Sequence, residues 1–133
     1  MSKLIAIVKD IQSCDNLNIV KFDFFGQTLS MMSLELNQNI KIGTKVNLIV
    51  KPTHITIAKN FSGEVSYSNK LNTTIKEIQN GKLLSSITLS IFNTSIESII
   101  TVNSSIKMDL KVGDKVIAFI KASELSIGSI NND

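Results

Sequence analysis

An internal repeat constrains the fold of this 133-residue chain more than any single residue does. Residues 40–57 align with residues 110–127 at an offset of 70, and most positions that differ exchange similar residues. The identical pairs are Lys41/Lys111, Gly43/Gly113, Lys45/Lys115, Val46/Val116, Lys51/Lys121 and Ile57/Ile127. Self-similarity of this kind indicates two copies of one structural unit. Each copy is small enough for burial to be marginal, so we expect the halves to share a core, pack on each other or oligomerise.

Short runs of apolar and alternating residues predict five strands in each half. In the first half they fall at residues 4–8, 19–25, 28–32, 45–50 and 53–58, with a loop or helical turn at 34–40. In the second half they fall at 71–78, 84–92, 97–102, 116–120 and 124–127, with a short turn or helix at 103–108. We expect strands four and five to form a closing hairpin in each half, and residues 130–133 to fray.

This pattern predicts an all-β chain of two tandem OB-like five-stranded barrels. The first OB-like subdomain would span residues 1–60 and the second residues 70–130, with residues 61–69 as a turn-rich linker. A hydrophobic fraction of 43% and a mean hydropathy of +0.20 exclude a disordered chain. The sequence contains no apolar run long enough for a membrane helix and no leader pattern at its start, so we expect a cytoplasmic protein.

The charges and reactive residues exclude several classes of function. All 14 basic residues are lysines and the net charge is only +3, so the bidentate side chain that grips guanine edges and phosphates is missing. Nucleic acid is therefore not an expected partner. One cysteine, Cys14, and one histidine, His54, cannot form an internal disulfide or a structural zinc site, and we expect Cys14 to be a half-buried free thiol. The 11 acidic residues form no catalytic motif, so we expect a protein that is not an enzyme and has no cofactor.

Two aromatic residues on the second predicted strand have two possible roles. Phe22 and Phe24 share one face of that strand by its period of two. On an exposed face of an OB-like barrel they would be a stacking platform for single-stranded nucleic acid. On the inner face they would fill the barrel. Because aromatic residues make up only 5% of the chain, the composition favours the inner face.

Hydroxyl side chains and one lysine recur near predicted strand ends in the second half. Thr101 and Ser104 precede the fourth strand, and Lys121-Ala122-Ser123 follows it. Small hydroxyls, backbone N–H groups and one cation are what a tetrahedral oxyanion requires. The same residues are ordinary in turns, with Lys121 a solvated charge at a strand end, and composition alone favours that interpretation.

These residues resemble the Mop family of molybdate-binding domains, also called TOBE domains, in its tandem di-Mop form. The strongest similarity lies in Lys-Val-Gly-Asp-Lys-Val at 111–116, followed by Ile-Lys-Ala-Ser at 120–123. The segments Ile-Thr-Val-Asn-Ser at 100–104 and Ser-Tyr-Ser-Asn-Lys-Leu at 66–71 also match, with Ser68 where the family often has arginine. The resemblance implies OB-like barrels that bind molybdate or tungstate between subunits of a homo-oligomer, a trimer or a dimer.

The resemblance also implies which residues hold the oxyanion. In the second half they are Ser66, Ser68, Asn69, Lys70, Thr101, Ser104, Lys121, Ala122 and Ser123. The first-half equivalents are Ser33, Lys51 and Thr53. Pro52 replaces Ala122 there and has no N–H, so we expect that site to be weak or absent. The sequence thus predicts oxyanion storage or homeostasis; the alternative is a ligand-free TOBE-type module that contacts a transporter ATPase or a regulator.

Overall fold

The computed structural model describes residues 2–133 and is almost entirely β-structure. The ten strands are β1 (Ser2–Cys14), β2 (Leu17–Phe24), β3 (Gln27–Ser33), β4 (Lys45–Val50), β5 (Thr56–Ala58), β6 (Asn69–Asn80), β7 (Leu84–Ile91), β8 (Thr94–Thr101), β9 (Lys115–Ile120) and β10 (Ser126–Ile130). One short helix, α1 (Val102–Lys107), follows β8. Two 3₁₀ turns, Pro52–His54 and Ala122–Glu124, precede β5 and β10. The strands form two curled five-stranded sheets, and the predicted tandem OB-like fold is confirmed.

The two halves exchange their last strands. The first sheet has the order β10-β4-β1-β2-β3 and the second has the order β5-β9-β6-β7-β8. Thus β10, from the end of the chain, pairs antiparallel with β4, and β5 pairs antiparallel with β9. Each sheet is complete only with a strand from the other half of the sequence.

This exchange corrects two predictions. The fourth and fifth strands of each half do not form a hairpin, because a 3₁₀ turn carries the chain from one sheet to the other. Residues 130–133 are not frayed, since Asn131 N–H donates to the Lys45 carbonyl at 2.8 Å and the Asn131 amide donates to Asn47 Oδ1 at 2.9 Å. The predicted division into residues 1–60 and 70–130 therefore describes the repeat in the sequence. Each sheet contains strands from both sides of that division.

The longest strand of each sheet bends and so pairs with a different neighbouring strand along each part of its length. Residues 2–7 of β1 pair with β4, and residues 7–14 pair with β2. The register shifts between Val8 and Asp10, and β6 has the equivalent shift between Ile75 and Glu77. Such β-bulges increase local twist and let a strand turn from one neighbour to the next. The bulge in both halves explains why each sheet curls.

One continuous hydrophobic core joins the halves. Alternating residues of the strands point into it, and buried members such as Leu48 and Leu71 come from different halves. Phe22 and Phe24 are 0% and 1% exposed, which confirms that they fill the interior. They are therefore not available for stacking on nucleic acid. Cys14, by contrast, is exposed rather than half-buried, because it lies beside the turn between β1 and β2.

Candidate functional site

Each half carries an exposed lysine directly after one of its strands. Lys51 follows β4 and Lys121 follows β9, and each begins a 3₁₀ turn. The carbonyl of Lys51 accepts from His54 N–H, and that of Lys121 accepts from Glu124 N–H, both at 2.9 Å. We name residues 51–54 the first lysine turn and residues 121–124 the second lysine turn. Neither lysine forms an ion pair within residues 2–133, so both charges are open to a ligand.

The strand exchange brings each lysine turn against the opposite half. The 3₁₀ turn that contains Ser123 packs against β3, and the one that contains Thr53 packs against β8. A cavity of about 320 Å³ is lined by Ser123 and by Ser33, a residue assigned to the first-half site. A smaller cavity of about 210 Å³ is lined by Lys51, His54 and Ser123. The candidate residues are thus mixed across the halves, which their spacing in the sequence does not indicate.

The segment before β6 runs beside the second lysine turn. Asn69 pairs with Ile120 at the end of the β6–β9 ladder. Ser68 directly precedes β6 and Lys121 directly follows β9, so both lie just beyond this end of the ladder. Tyr67 fixes this segment: its ring stacks on Phe119 at 5.1 Å, and its hydroxyl lies 3.1 Å from Thr56 Oγ1. The side chains of Ser66 and Ser68 are exposed, as is Lys70 on β6. Five of the predicted residues therefore lie near one strand end: Ser66, Ser68, Asn69, Lys70 and Lys121.

Asn69 has a different environment from the serines beside it. Its side chain is 0% exposed. The amide accepts from Ser30 N–H at 2.7 Å and donates to the carbonyls of Ser30 and Ile120 at 3.0 and 3.1 Å. These bonds tie β6 to β3 and β9, so the groups of Asn69 are already engaged within the protein.

Thr101 and Ser104 form a helix cap. The hydroxyl of Thr101 accepts from Ser104 N–H at 3.1 Å and lies 3.0 Å from the Ser104 hydroxyl, at the start of α1. Threonine is a favoured N-cap residue for this reason. The first half has a loop without a helix in the equivalent place, where the hydroxyl of Ser33 donates to the Glu35 carbonyl. Neither Thr101 nor Ser104 lines the two cavities that contain Ser123.

Sequence reasoning missed three residues near the lysine turns: His54, Glu124 and Ser126. His54 Nδ1 lies 2.8 Å from Glu124 Oε2, and all three residues line the smaller cavity. The signal was present in the repeat, because His54 and Glu124 occupy equivalent positions at the offset of 70. The repeat alone does not indicate that the two side chains touch, because their contact depends on the strand exchange.

Other kinds of site find no support in the structure. Residues 2–133 contain no cluster of three or more histidine, cysteine, aspartate or glutamate side chains that could hold a metal ion. In the same range no helix is long and apolar enough to cross a membrane. The two exposed lysines, Lys51 and Lys121, are flanked by hydroxyl side chains at the place where the two halves exchange strands.

An OB-like fold repeated in tandem, with a lysine turn in each copy, defines the class of this protein, and comparison with known proteins shows what it resembles. Residues 66–127 match the TOBE domain. The crystal structure of the cytoplasmic molybdate-binding protein ModG, in a PEG-grown form with molybdate bound, has a TM-score of 0.90 to this chain and 25% sequence identity. The match covers 96% of this chain and 95% of that chain. The second half of the chain therefore contains a TOBE domain, and the chain as a whole has the fold of ModG.

A second solved structure is that of a molybdate-binding protein from Sporomusa ovata. It has 38% sequence identity, and the match covers 45% of this chain and 90% of that chain with a TM-score of 0.44. No curated protein matches the chain significantly.

Proposed function

We propose that this protein binds a tetrahedral oxyanion, molybdate or tungstate, without transforming it. The observation that carries the proposal is the likeness along almost the whole chain to the molybdate-bound ModG structure. The exposed lysines that follow β4 and β9 support it, since both charges lack a partner within residues 2–133. The same likeness is to a binding protein rather than to a catalyst, which agrees with the scattered acidic residues.

The second lysine turn is the stronger candidate for the site. Lys121 would balance the charge of the oxyanion, while Ser123 and the Ala122 N–H would donate hydrogen bonds to its oxygens. Ser68 lies next to Lys121 at the end of the β6–β9 ladder, with Ser66 two residues before it. All of these side chains except that of the half-buried Ala122 are exposed, so a ligand can reach them.

The remaining predicted residues would contribute less directly. Asn69 would hold the strand end in place through its three internal hydrogen bonds. Thr101 and Ser104 would have to bind through hydroxyls that already cap α1. Lys70 would add positive charge on the adjacent strand. In the first half, Lys51, Thr53 and Ser33 would form a weaker site, because Pro52 offers no N–H.

We further propose that the oxyanion is shared between copies of the chain in a homo-oligomer and that the protein stores molybdate or tungstate in the cytoplasm. The hydroxyls and the lysine are exposed at a strand end, which leaves room for a second copy to complete the coordination. A fully enclosed dianion needs more donors than Lys121, Ser68 and Ser123 provide.

Calorimetric titration with molybdate, tungstate and sulfate tests the proposal. We expect molybdate and tungstate to bind, and Lys121→Ala to weaken binding at least tenfold, because a charge-assisted hydrogen bond is worth about 1.5–3 kcal/mol. Lys82→Ala removes an exposed lysine from the turn between β6 and β7 and is the matched control. Absence of binding in the wild-type protein would contradict the proposal.

A ligand-free interaction module is the second candidate, favoured by one observation. The carboxylate of Glu124 lines the same cavity as Lys51 and Ser123, and a carboxylate disfavours an anion beside it. Under this reading the wild-type chain would assemble with a partner, such as a transporter ATPase or a regulator, and bind no oxyanion. The same titration separates the two functions.

A further inference from the structure

His54 and Glu124 join the two lysine turns directly. His54 Nδ1 and Glu124 Oε2 are 2.8 Å apart, and the two side chains are 35% and 36% exposed. His54 is the last residue of the first 3₁₀ turn and Glu124 the last residue of the second. Because these turns carry β5 and β10 to opposite sheets, the pair lies where the two exchanged connections pass each other.

The two residues are equivalent positions of the repeat. At the offset of 70, His54 aligns with Glu124 just as Lys51 aligns with Lys121. In an arrangement of two identical copies, a residue at such a contact meets its own counterpart. Two glutamates there would repel each other, and two histidines would lack an acceptor with negative charge. The repeat instead has different residues at these two positions, and they form a complementary pair.

Each residue of the pair also bonds, through its backbone, to the lysine of its own turn. His54 N–H donates to the Lys51 carbonyl, and Glu124 N–H donates to the Lys121 carbonyl, each at 2.9 Å. A contact between the side chains of His54 and Glu124 thus fixes the position of one turn relative to the other. The cavity of about 210 Å³ beside the pair contains Lys51 from one turn and Ser123 from the other.

Both residues of the pair also line that cavity. Glu124 follows Ser123 directly, and its carboxylate would repel an anion that approached Ser123. His54 Nδ1 lies 2.8 Å from one oxygen of that carboxylate. This contact holds the carboxylate between the two lysine turns. A donor at this distance would offset part of the repulsion between Glu124 and a bound oxyanion.

We propose that His54 and Glu124 are positioning residues for oxyanion binding, which set the relative placement of Lys51 and Ser123 by linking the two lysine turns. The inference rests on the proposed oxyanion-binding function and deepens it. The oxyanion itself is not expected to touch either side chain. The stronger set at the second lysine turn and the weaker set at the first are accordingly coupled through this pair.

A reciprocal exchange of the two residues tests this proposal. His54→Glu places two carboxylates opposite each other, and Glu124→His places two imidazoles there. We expect each single variant to bind molybdate about tenfold more weakly or worse, in the range typical of lost second-layer contacts. The double variant His54→Glu/Glu124→His restores the pair in reverse and should recover most of the affinity, because the two positions are equivalent.

Controls distinguish a positioning role of His54 and Glu124 from a loss of fold and from a failure of the proposed oxyanion binding. Thermal unfolding of each variant detects loss of fold, and if His54→Glu does not fold, His54→Ala breaks the same contact without adding repulsion. Asp109→Asn removes an exposed ion pair with Lys111, 3.3 Å long, and should leave affinity unchanged. If wild-type protein binds molybdate but the single variants bind equally well, or the double variant is no better than they are, the positioning proposal is wrong. If wild-type protein binds no oxyanion, both proposals fail.

Discussion

Asn69 and Ser30 lie 39 residues apart in the sequence and exchange two hydrogen bonds, from Ser30 N–H to Asn69 Oδ1 and from Asn69 Nδ2 to the Ser30 carbonyl. A side chain here takes the place of a neighbouring strand, since it satisfies both backbone groups of Ser30. The equivalent contact in the other half is simpler: Ser2 Oγ accepts from Glu97 N–H at 2.8 Å. These two contacts tie each half to the hairpin of the other.

Replacement of Asn69 by alanine should destabilise the protein by about 2–4 kcal/mol, because it leaves backbone groups of Ser30 and Ile120 without buried partners. Ser2→Ala removes one hydrogen bond at the equivalent position and should cost about 1 kcal/mol. Chemical denaturation of both variants measures the difference. Equal stabilities for Asn69→Ala and wild type would show that the internal bonds of Asn69 contribute nothing.

Deletion of residues 126–133 should destabilise the first sheet, although these residues come from the end of the chain. The deletion removes β10, exposes the hydrogen-bonding edge of β4 and takes Ser129 and Asn131 away from Asn47. We expect a loss of about 3 kcal/mol or more, since each lost hydrogen bond contributes about 1 kcal/mol, and a tendency to associate through the open edge. Deletion of residues 132–133 alone is the control. An unchanged melting temperature after the longer deletion would contradict the strand exchange.

Acid should weaken the contact that Lys59 makes with the second half. Lys59 Nζ lies 3.0 Å from Asp114 Oδ2, and this hydrogen bond, followed by one from Lys111 N–H, lowers the pKa of Asp114 below its ordinary value of 3.8. A lowered folded-state pKa adds stability above the unfolded value that is lost as the pH falls through the folded value. Asp114→Asn should therefore reduce the loss of stability below about pH 4. Melting curves from neutral to acidic pH measure this, with Asp109→Asn, in a largely exposed pair, as the control. Identical acid limbs for Asp114→Asn and wild type would contradict it.

Replacement of a buried phenylalanine should cost much more stability than replacement of an exposed one. Phe24 is 1% exposed, whereas Phe25 and Phe92 are 54% and 52% exposed and stack on each other at 4.6 Å across the two halves. We expect Phe24→Ala to cost about 3–5 kcal/mol, and the coupling between Phe25→Ala and Phe92→Ala to be about 0.5–1.5 kcal/mol. A double-mutant cycle in urea measures that coupling. A cost for Phe24→Ala no larger than that for Phe25→Ala would mean that Phe24 does not fill the core.

The fold was largely predictable because the alternation of apolar and polar residues along short segments determines where the strands lie. Alternation placed the strands, and the scarcity of aromatic residues indicated that Phe22 and Phe24 are internal. The strand exchange was not predictable, because β5 has the same apolar pattern whether it pairs with β4 or with β9. The site was predicted as residue types and not as an arrangement. Asn69 matches a family motif, but only the structure reveals that its amide is bonded to Ser30.

The central claim is that an oxyanion binds at the second lysine turn. Crystals grown with tungstate test it most directly, because tungsten scatters X-rays anomalously and marks its own position. We predict an anomalous peak in contact with Lys121 and Ser123, lost in Lys121→Ala and retained in Lys82→Ala. A peak elsewhere on the molecule, or none at saturating tungstate, would contradict the account.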